Sequence, residues 1–170
     1  MTEHFNPNDM TFGFIGLGLI GGSMAKALRH TYESSTIIAY NRSEIPRIMA
    51  KNDGVCDIVT DTVDDTFSKC DFIFLCTPVK YNETYLELLK NIMSVIDPYI
   101  CIIFTNKRTE AADITKKLRE DGYKVGEIHG DLEPRERRQM MRRIKNMDYQ
   151  YIVATDIAAR GIDIDGASHI

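Results

Sequence analysis

Three glycines, Gly16, Gly18 and Gly21, stand in the pattern GxGxxG within FGFIGLGLIGGSMAKAL, residues 12–28. The chemistry this spacing serves is the holding of phosphate. Gly16 permits a tight turn, Gly18 lets backbone amides approach a pyrophosphate, and Gly21 lets a following helix pack closely on the preceding strand. About twenty residues on, YNRSE places Asn41 where an acidic side chain would take ribose hydroxyls. Asn41 keeps hydrogen-bonding capacity, and Arg42 with Ser43 could hold a 2′-phosphate, so a dinucleotide site here leans towards NADP over NAD.

A second group of phosphate-suited residues lies in the other half. IIFTNKR, IHGDL and VATDIAARGIDID bring hydroxyls, arginines and glycine-flanked amides, and residues 134–145 form the basic run PRERRQMMRRIK. Such groups grip sugar-phosphate backbones without reading bases. A basic run of this kind is also what an ordinary solvated helix face looks like.

The elements that must position these residues alternate regularly. Short, nearly continuous apolar runs predict strands at 11–16, 36–41, 56–60, 71–77, 99–105, 124–129 and 149–155, apolar enough for burial on both faces as in a parallel sheet. Helical spacing predicts helices near 20–30, 44–52, 80–96, 107–121 and 134–146, and Gly122 is placed to end the fourth of them. The pattern predicts one α/β domain over residues 1–170: a three-layer αβα sandwich around a mostly parallel sheet of about seven strands. Two abutting sheets are the alternative. A strand order beginning 3-2-1-4, with the strand at 99–105 beside the fourth, is the simplest arrangement.

With the motifs in place, two resemblances emerge. Residues 11 to about 90 resemble the N-terminal part of the prephenate dehydrogenase family, through GFIGLGLIGGSMAKAL and DFIFLCTPV. That likeness implies an NAD(P)-binding Rossmann-like half over 11–92, with Thr77 and Pro78 lining the cofactor pocket. No segment like that family's catalytic GSHPMAG follows, and His4, His30, His129 and His169 match no catalytic motif, so no catalytic residue is assigned. From about residue 93 the chain resembles the second RecA-like domain of DEAD-box RNA helicases. By that likeness Thr105, Asn106, Arg108, Gly130, Arg138, Thr155, Asp156, Arg160 and Gly161 are the RNA-contact positions, and Asp163 faces the nucleotide. Many members carry Gln where Arg135 stands. ATP hydrolysis needs a GxxxxGK[ST] loop and a metal-binding acidic motif. Neither is in the sequence, and SHI precedes the family's arginine-rich motif, so ATP-driven unwinding is not expected.

Composition narrows the classes further. The chain has 170 residues, 44% hydrophobic and 27% charged, as in a folded globular protein. Its net charge of -4 comes wholly from residues 1–90, which carry 8 basic and 12 acidic residues against 13 and 13 in the remainder. A half with zero net charge is a poor general RNA binder at physiological salt. The four cysteines have neither CxxC nor metal-type spacing, so no metal site is assigned and a reduced, cytoplasmic setting is expected. No secretory leader or apolar run of membrane-spanning length is present, and no membrane partner is expected.

The stretch YNETYLELLKNIMSVIDPYICIIFTNKR, residues 81–108, joins the two patterns without a linker. Tyr81, Tyr85, Leu88, Leu89, Ile92 and Ile96 continue one apolar helical face across it, which places the join between Leu86 and Val95. Natural fusions join complete domains through exposed linkers. The expectation is therefore an engineered chimera whose fragments complete one core, with no required cofactor and at most residual NAD or NADP binding at the glycine turn. An NAD(P)-dependent oxidoreductase and an RNA-binding helicase fragment are the alternatives.

Overall fold

The computed structural model describes residues 6–78, 84, 87 and 100–155. Seven strands form one parallel sheet: β1 (Thr11–Ile15), β2 (Thr36–Tyr40), β3 (Ile58–Thr60), β4 (Phe72–Leu75), β5 (Ile100–Thr105), β6 (Val125–Ile128) and β7 (Tyr151–Thr155). Their order is β3-β2-β1-β4-β5-β7-β6. The continuous sheet, the 3-2-1-4 start and the place of β5 beside β4 are as expected. The sequence alone left the last two positions open, and β7 inserts between β5 and β6. Apart from Thr84 and Glu87, which are helical, the expected helix at 80–96 lies outside the described residues, as do Asp156, Arg160, Gly161 and Asp163.

Helices α1 (Leu19–Thr31), α2 (Glu44–Asn52), α3 (Arg108–Glu120) and α4 (Pro134–Lys145) connect the strands. Their sides follow from right-handed crossover. Steps towards the β3 edge put α1 and α2 on one face, and the single step back from β6 to β7 puts α4 there too. The step from β5 out to β6 puts α3 on the other face. Two apolar clusters record this division. One joins Ala25 and Leu28 of α1 and Ile144 of α4 to Phe12, Phe14, Phe72, Phe74, Ile100, Ile102 and Ile152. The other joins Ala111, Ile114 and Leu118 of α3 and Phe67 of a short 3₁₀ turn (Asp65–Lys69) to Ile15, Ile73, Leu75, Cys101, Ile103 and Val153.

Helix ends follow local chemistry. α4 opens with Pro134 behind a capping box in which the Glu133 amide donates to Glu136 at 3.2 Å. α3 ends where Gly122 takes φ +89° and its amide donates to the Arg119 carbonyl at 3.0 Å, as its position predicted.

β4 and β5 carry the junction. They pair in parallel with Phe72 opposite Ile100, Ile73 opposite Cys101, Phe74 opposite Ile102 and Leu75 opposite Ile103. Every residue of both strands is buried. The dehydrogenase-like and helicase-like parts thus share one hydrogen-bonded sheet and two common cores.

Candidate functional site

Because all strands are parallel, every residue that follows a strand end falls on one edge of the sheet, where open α/β proteins bind ligands. That edge gathers the glycine turn after β1, Asn41 and Arg42 after β2, Thr77 and Pro78 after β4, Asn106 and Arg108 after β5, and Gly130 after β6, with Thr105 and Thr155 closing β5 and β7. Arg138 stands apart, exposed on α4.

The glycine turn is built by close approach. Gly16 has φ +105°, and a Cβ there would lie 2.9 Å from the Cys76 carbonyl oxygen. The Gly16 amide donates to the Tyr40 carbonyl and the Cys76 amide to the Ile15 carbonyl, both at 2.8 Å, so three strand ends are tied together. At Gly21 a Cβ would come 2.0 Å from the Gly16 carbonyl oxygen, which is why α1 can seat directly against the turn. At Gly18, by contrast, a Cβ would meet nothing within 4 Å. Gly18 is the N-cap of α1 with no side-chain cap, and the first turn of α1 carries no acidic residue. Close approach thus requires glycine at 16 and 21, while Gly18 leaves the N-terminus of α1 open, where a pyrophosphate would meet the positive end of that helix.

Asn41 has a task that its sequence position did not disclose. Its side-chain oxygen accepts the Leu17 amide at 3.0 Å, inside the glycine turn, while its side-chain nitrogen donates to the Ser43 carbonyl at 3.1 Å. Arg47 donates to the Asn41 carbonyl at 2.6 Å and to the Arg42 carbonyl at 3.2 Å. Asn41 thus fixes the turn that would hold phosphate and the loop that would hold a 2′-phosphate relative to each other. A second brace was missed altogether. Arg29 on α1 donates to the carbonyls of Val55, Glu33 and Ser35 and pairs with Asp57, whose carboxylate also accepts the Ile37 amide at 2.7 Å. Arginines in an amphipathic helix give no sequence signal of such a role.

On the helicase-like side, Thr105 is 1% exposed and its hydroxyl donates to the Lys107 carbonyl at 3.4 Å. Arg108 pairs with Asp131, next to Gly130, at 2.9 Å, tying the β5–α3 and β6–α4 loops together at the surface. His129 is half-buried at the same edge, and His30 is exposed on α1. Burial pushes the Cys70 and Cys101 thiols up to about 12 and, with Asp57 adding to it, Cys56 to about 11, so these three are inert packing groups rather than nucleophiles. No group of metal-binding side chains occurs among the described residues.

A hollow of about 580 Å³ lies at the opposite edge of the sheet, between Arg119, Tyr123, Lys124, Arg143, Asp148 and Tyr149. Its arginines are committed to structure. Arg119 donates to the Val125 carbonyl at 3.0 Å, and Arg143 lies 4.6 Å from the Tyr149 ring centre and 3.5 Å from Asp148. The convergence of strand ends, not this hollow, marks the candidate site.

Residues 11–99 match the family described as NADP oxidoreductase coenzyme F420-dependent, and residues 84–170 match the helicase conserved C-terminal domain. The two matches overlap at 84–99, and the expected join falls inside that overlap. The chain is 47% identical over 103 residues to the DEAD-box ATP-dependent RNA helicase CshB of Staphylococcus aureus, covering 61% of this chain and 23% of that protein. Over 85 residues it is 55% identical to CshB of Listeria monocytogenes, covering 50% and 20%. It therefore spans about a fifth to a quarter of the helicases it matches. In fold it is similar to prephenate dehydrogenase from A. aeolicus, solved with hydroxyphenyl propionate and NAD+, with a TM-score of 0.57 at 17% identity, covering 90% of this chain and 61% of that one. Glycine turn, crossovers and shared sheet together with these matches show a chimera: the chain belongs to the NADP oxidoreductase coenzyme F420-dependent family in its first half and to the helicase conserved C-terminal domain family in its second.

Proposed function

We propose that the chain is an engineered chimeric α/β scaffold that keeps a dinucleotide-binding turn and performs neither parent's reaction. The observation that carries this reading is the unbroken pairing of β4 with β5, every residue buried, across the place where the two families meet. Each fragment supplies the neighbour strand that the other needs, and without it each would present a raw apolar edge. Chains selected for such a fit need not keep either active site. The glycine turn survives as a cradle because it is formed entirely within the first fragment, from β1, β2, β4 and α1.

Titration with NADPH and NADH, followed by nicotinamide fluorescence, tests the binding part. Saturation below millimolar concentration is expected, with NADPH preferred through Arg42 and Ser43. No saturable change at millimolar cofactor would overturn it. A natural chain that carries both patterns continuously through residues 75–115 would overturn the engineered origin.

RNA binding is the second reading, favoured by the exposed Asn106 and Gly130 on one edge of the sheet and by the arginine-rich α4. A gel shift with single-stranded RNA at low salt tests it. An unshifted band would remove it, since a backbone-binding surface is strongest when counterions are few.

A further inference from the structure

We propose that the cofactor site is composite: the nicotinamide half of a bound dinucleotide rests on Asn106 and Lys107, residues of the helicase-like half. This deepens the reading of the glycine turn as a dinucleotide cradle and rests on it. A dinucleotide lies across the point where successive connections leave the sheet in opposite directions, its pyrophosphate on the helix N-terminus and one nucleoside to each side. Here that point lies between β1, whose chain leaves towards β2, and β4, which neighbours β5. One nucleoside therefore lies towards Asn41 and Arg42, and the other over the ends of β4 and β5. Since strands are about 4.8 Å apart, the end of β5 stands only about 10 Å from the glycine turn, within the span of the second nucleotide.

The register identifies the residues met there. Leu75 lies opposite Ile103, so Thr77 and Thr105, two positions beyond each, mark the level of the turn on the two strands. Thr105 is buried and its hydroxyl is directed to the Lys107 carbonyl, so it shapes the loop. Arg108 is drawn away towards β6 by Asp131. Asn106 and Lys107 are the exposed residues between them, and among the described residues neither side chain has a partner. Asn106 offers an amide that pairs with a carboxamide as both donor and acceptor, and Lys107 offers N–H donors for the hydroxyls of the nicotinamide ribose. No dehydrogenase residue occupies this place, because β5 and its loop come from the other family. The site would then exist in neither parent.

Half-ligands separate the two sides of the site. 2′,5′-ADP carries the adenosine side alone and NADPH carries both; ADP and NADH form the second pair. On the full chain, NADPH should bind about tenfold tighter than 2′,5′-ADP, the contribution of one or two new polar contacts. Asn106→Ala with Lys107→Ala should weaken NADPH about tenfold and leave 2′,5′-ADP unchanged, the second phosphate of NADPH staying on the glycine turn in the variant. Both positions are exposed, so the melting temperature should not move. Equal affinity of wild type for whole and half ligand, or an unchanged NADPH affinity in the variant, overturns the composite site while the glycine turn stands. Absence of binding by either ligand overturns the turn and the composite site together.

Discussion

Replacing Ile103 by Ala tests whether the two fragments form one cooperative unit. Ile103 is fully buried on β5, opposite Leu75 of β4 and Val153 of β7, at the centre of the α3-side core. Cutting it to Ala removes three carbons in a place where neighbours from both fragments surround the gap. The expected loss is about 4 kcal/mol, towards the upper part of the range for such truncations. Against a typical total of about 5–15 kcal/mol this is severe but survivable, and with a urea slope of about 2–3 kcal/mol per molar it lowers the midpoint by about 1.5 M. The cysteines supply a reporter in each half: Cys56 and Cys70 are buried in the first and Cys101 in the second. Thiol labelling along a urea series, read peptide by peptide, should show all three becoming reactive together and shifting together in the variant. If Cys101 moves while Cys56 and Cys70 keep their midpoint, the halves unfold separately and the shared-core argument fails.

The other expectations follow from single contacts. Gly21→Ala forces a Cβ into the Gly16 carbonyl and should lower stability by about 2–3 kcal/mol, a fall of roughly 5–10 °C in a thermal melt, whereas Gly18→Ala meets open space and should weaken NADPH binding with little change in melting. Asn41→Ala leaves the Leu17 amide without its acceptor, so exchange of that amide should quicken about tenfold; Asn41→Asp keeps an acceptor, and should slow exchange again while its charge shifts preference from NADPH to NADH. Cys56, Cys70 and Cys101 ionise later in the folded protein than the ordinary thiol value of 9.0. Between pH 9 and about 11 the unfolded chain therefore releases protons that the folded one retains, so stability should be intact below pH 9 and fall steeply above it, as chemical denaturation at stepped pH would show. Arg108→Ala removes a pair whose side chains are 63% and 71% exposed, and should change stability by under about 1 kcal/mol.

Much of this architecture was legible because it depends on local pattern. Runs such as FIFL and ICIIFT, apolar on both faces, announce central parallel strands, and Gly122 and Pro134 mark helix ends wherever the chain lies in space. The glycine turn was legible because its spacing is itself a local pattern, although the neighbour that Gly16 must clear, Cys76, comes from the end of β4. The place of β7 was not, because nothing in YIVAT distinguishes a neighbour of β5 from an edge strand. Side-chain duties were also hidden. Asn41 read as a ribose ligand because its position is the customary one; that its amide spans two backbone groups, the Leu17 amide and the Ser43 carbonyl, depends on how closely β1 and β2 bring their ends. Arg29 gathers three carbonyls from two loops, Glu33 and Ser35 before β2 and Val55 before β3, and could not be foreseen without them.

The junction raises a problem of register that the sheet solves by volume. In a strand with one polar face, a slip of one residue exposes the apolar set and is rejected. β5 has no polar face, as all six of its residues are buried, so alternation cannot fix how it sits beside a strand from another family. Size can. Cys101 lies in one row with Ile73 of β4 and Tyr151 of β7, and Tyr151 is fully buried with its ring packed edge-on against Tyr123 at 5.0 Å. A small side chain thus stands between two large ones. A slip of β5 and β7 together by two residues against β4, which keeps each face's side chains on that face, would set Ile103 in place of Cys101 beside Ile73 and crowd that row, at about 1–3 kcal/mol in a close-packed core. Cys101 is therefore the residue through which the helicase-like fragment accepts the dehydrogenase-like edge, and Cys101→Ile should disturb the pairing of β4 and β5 more than the same change in hydrophobicity anywhere else on the strand.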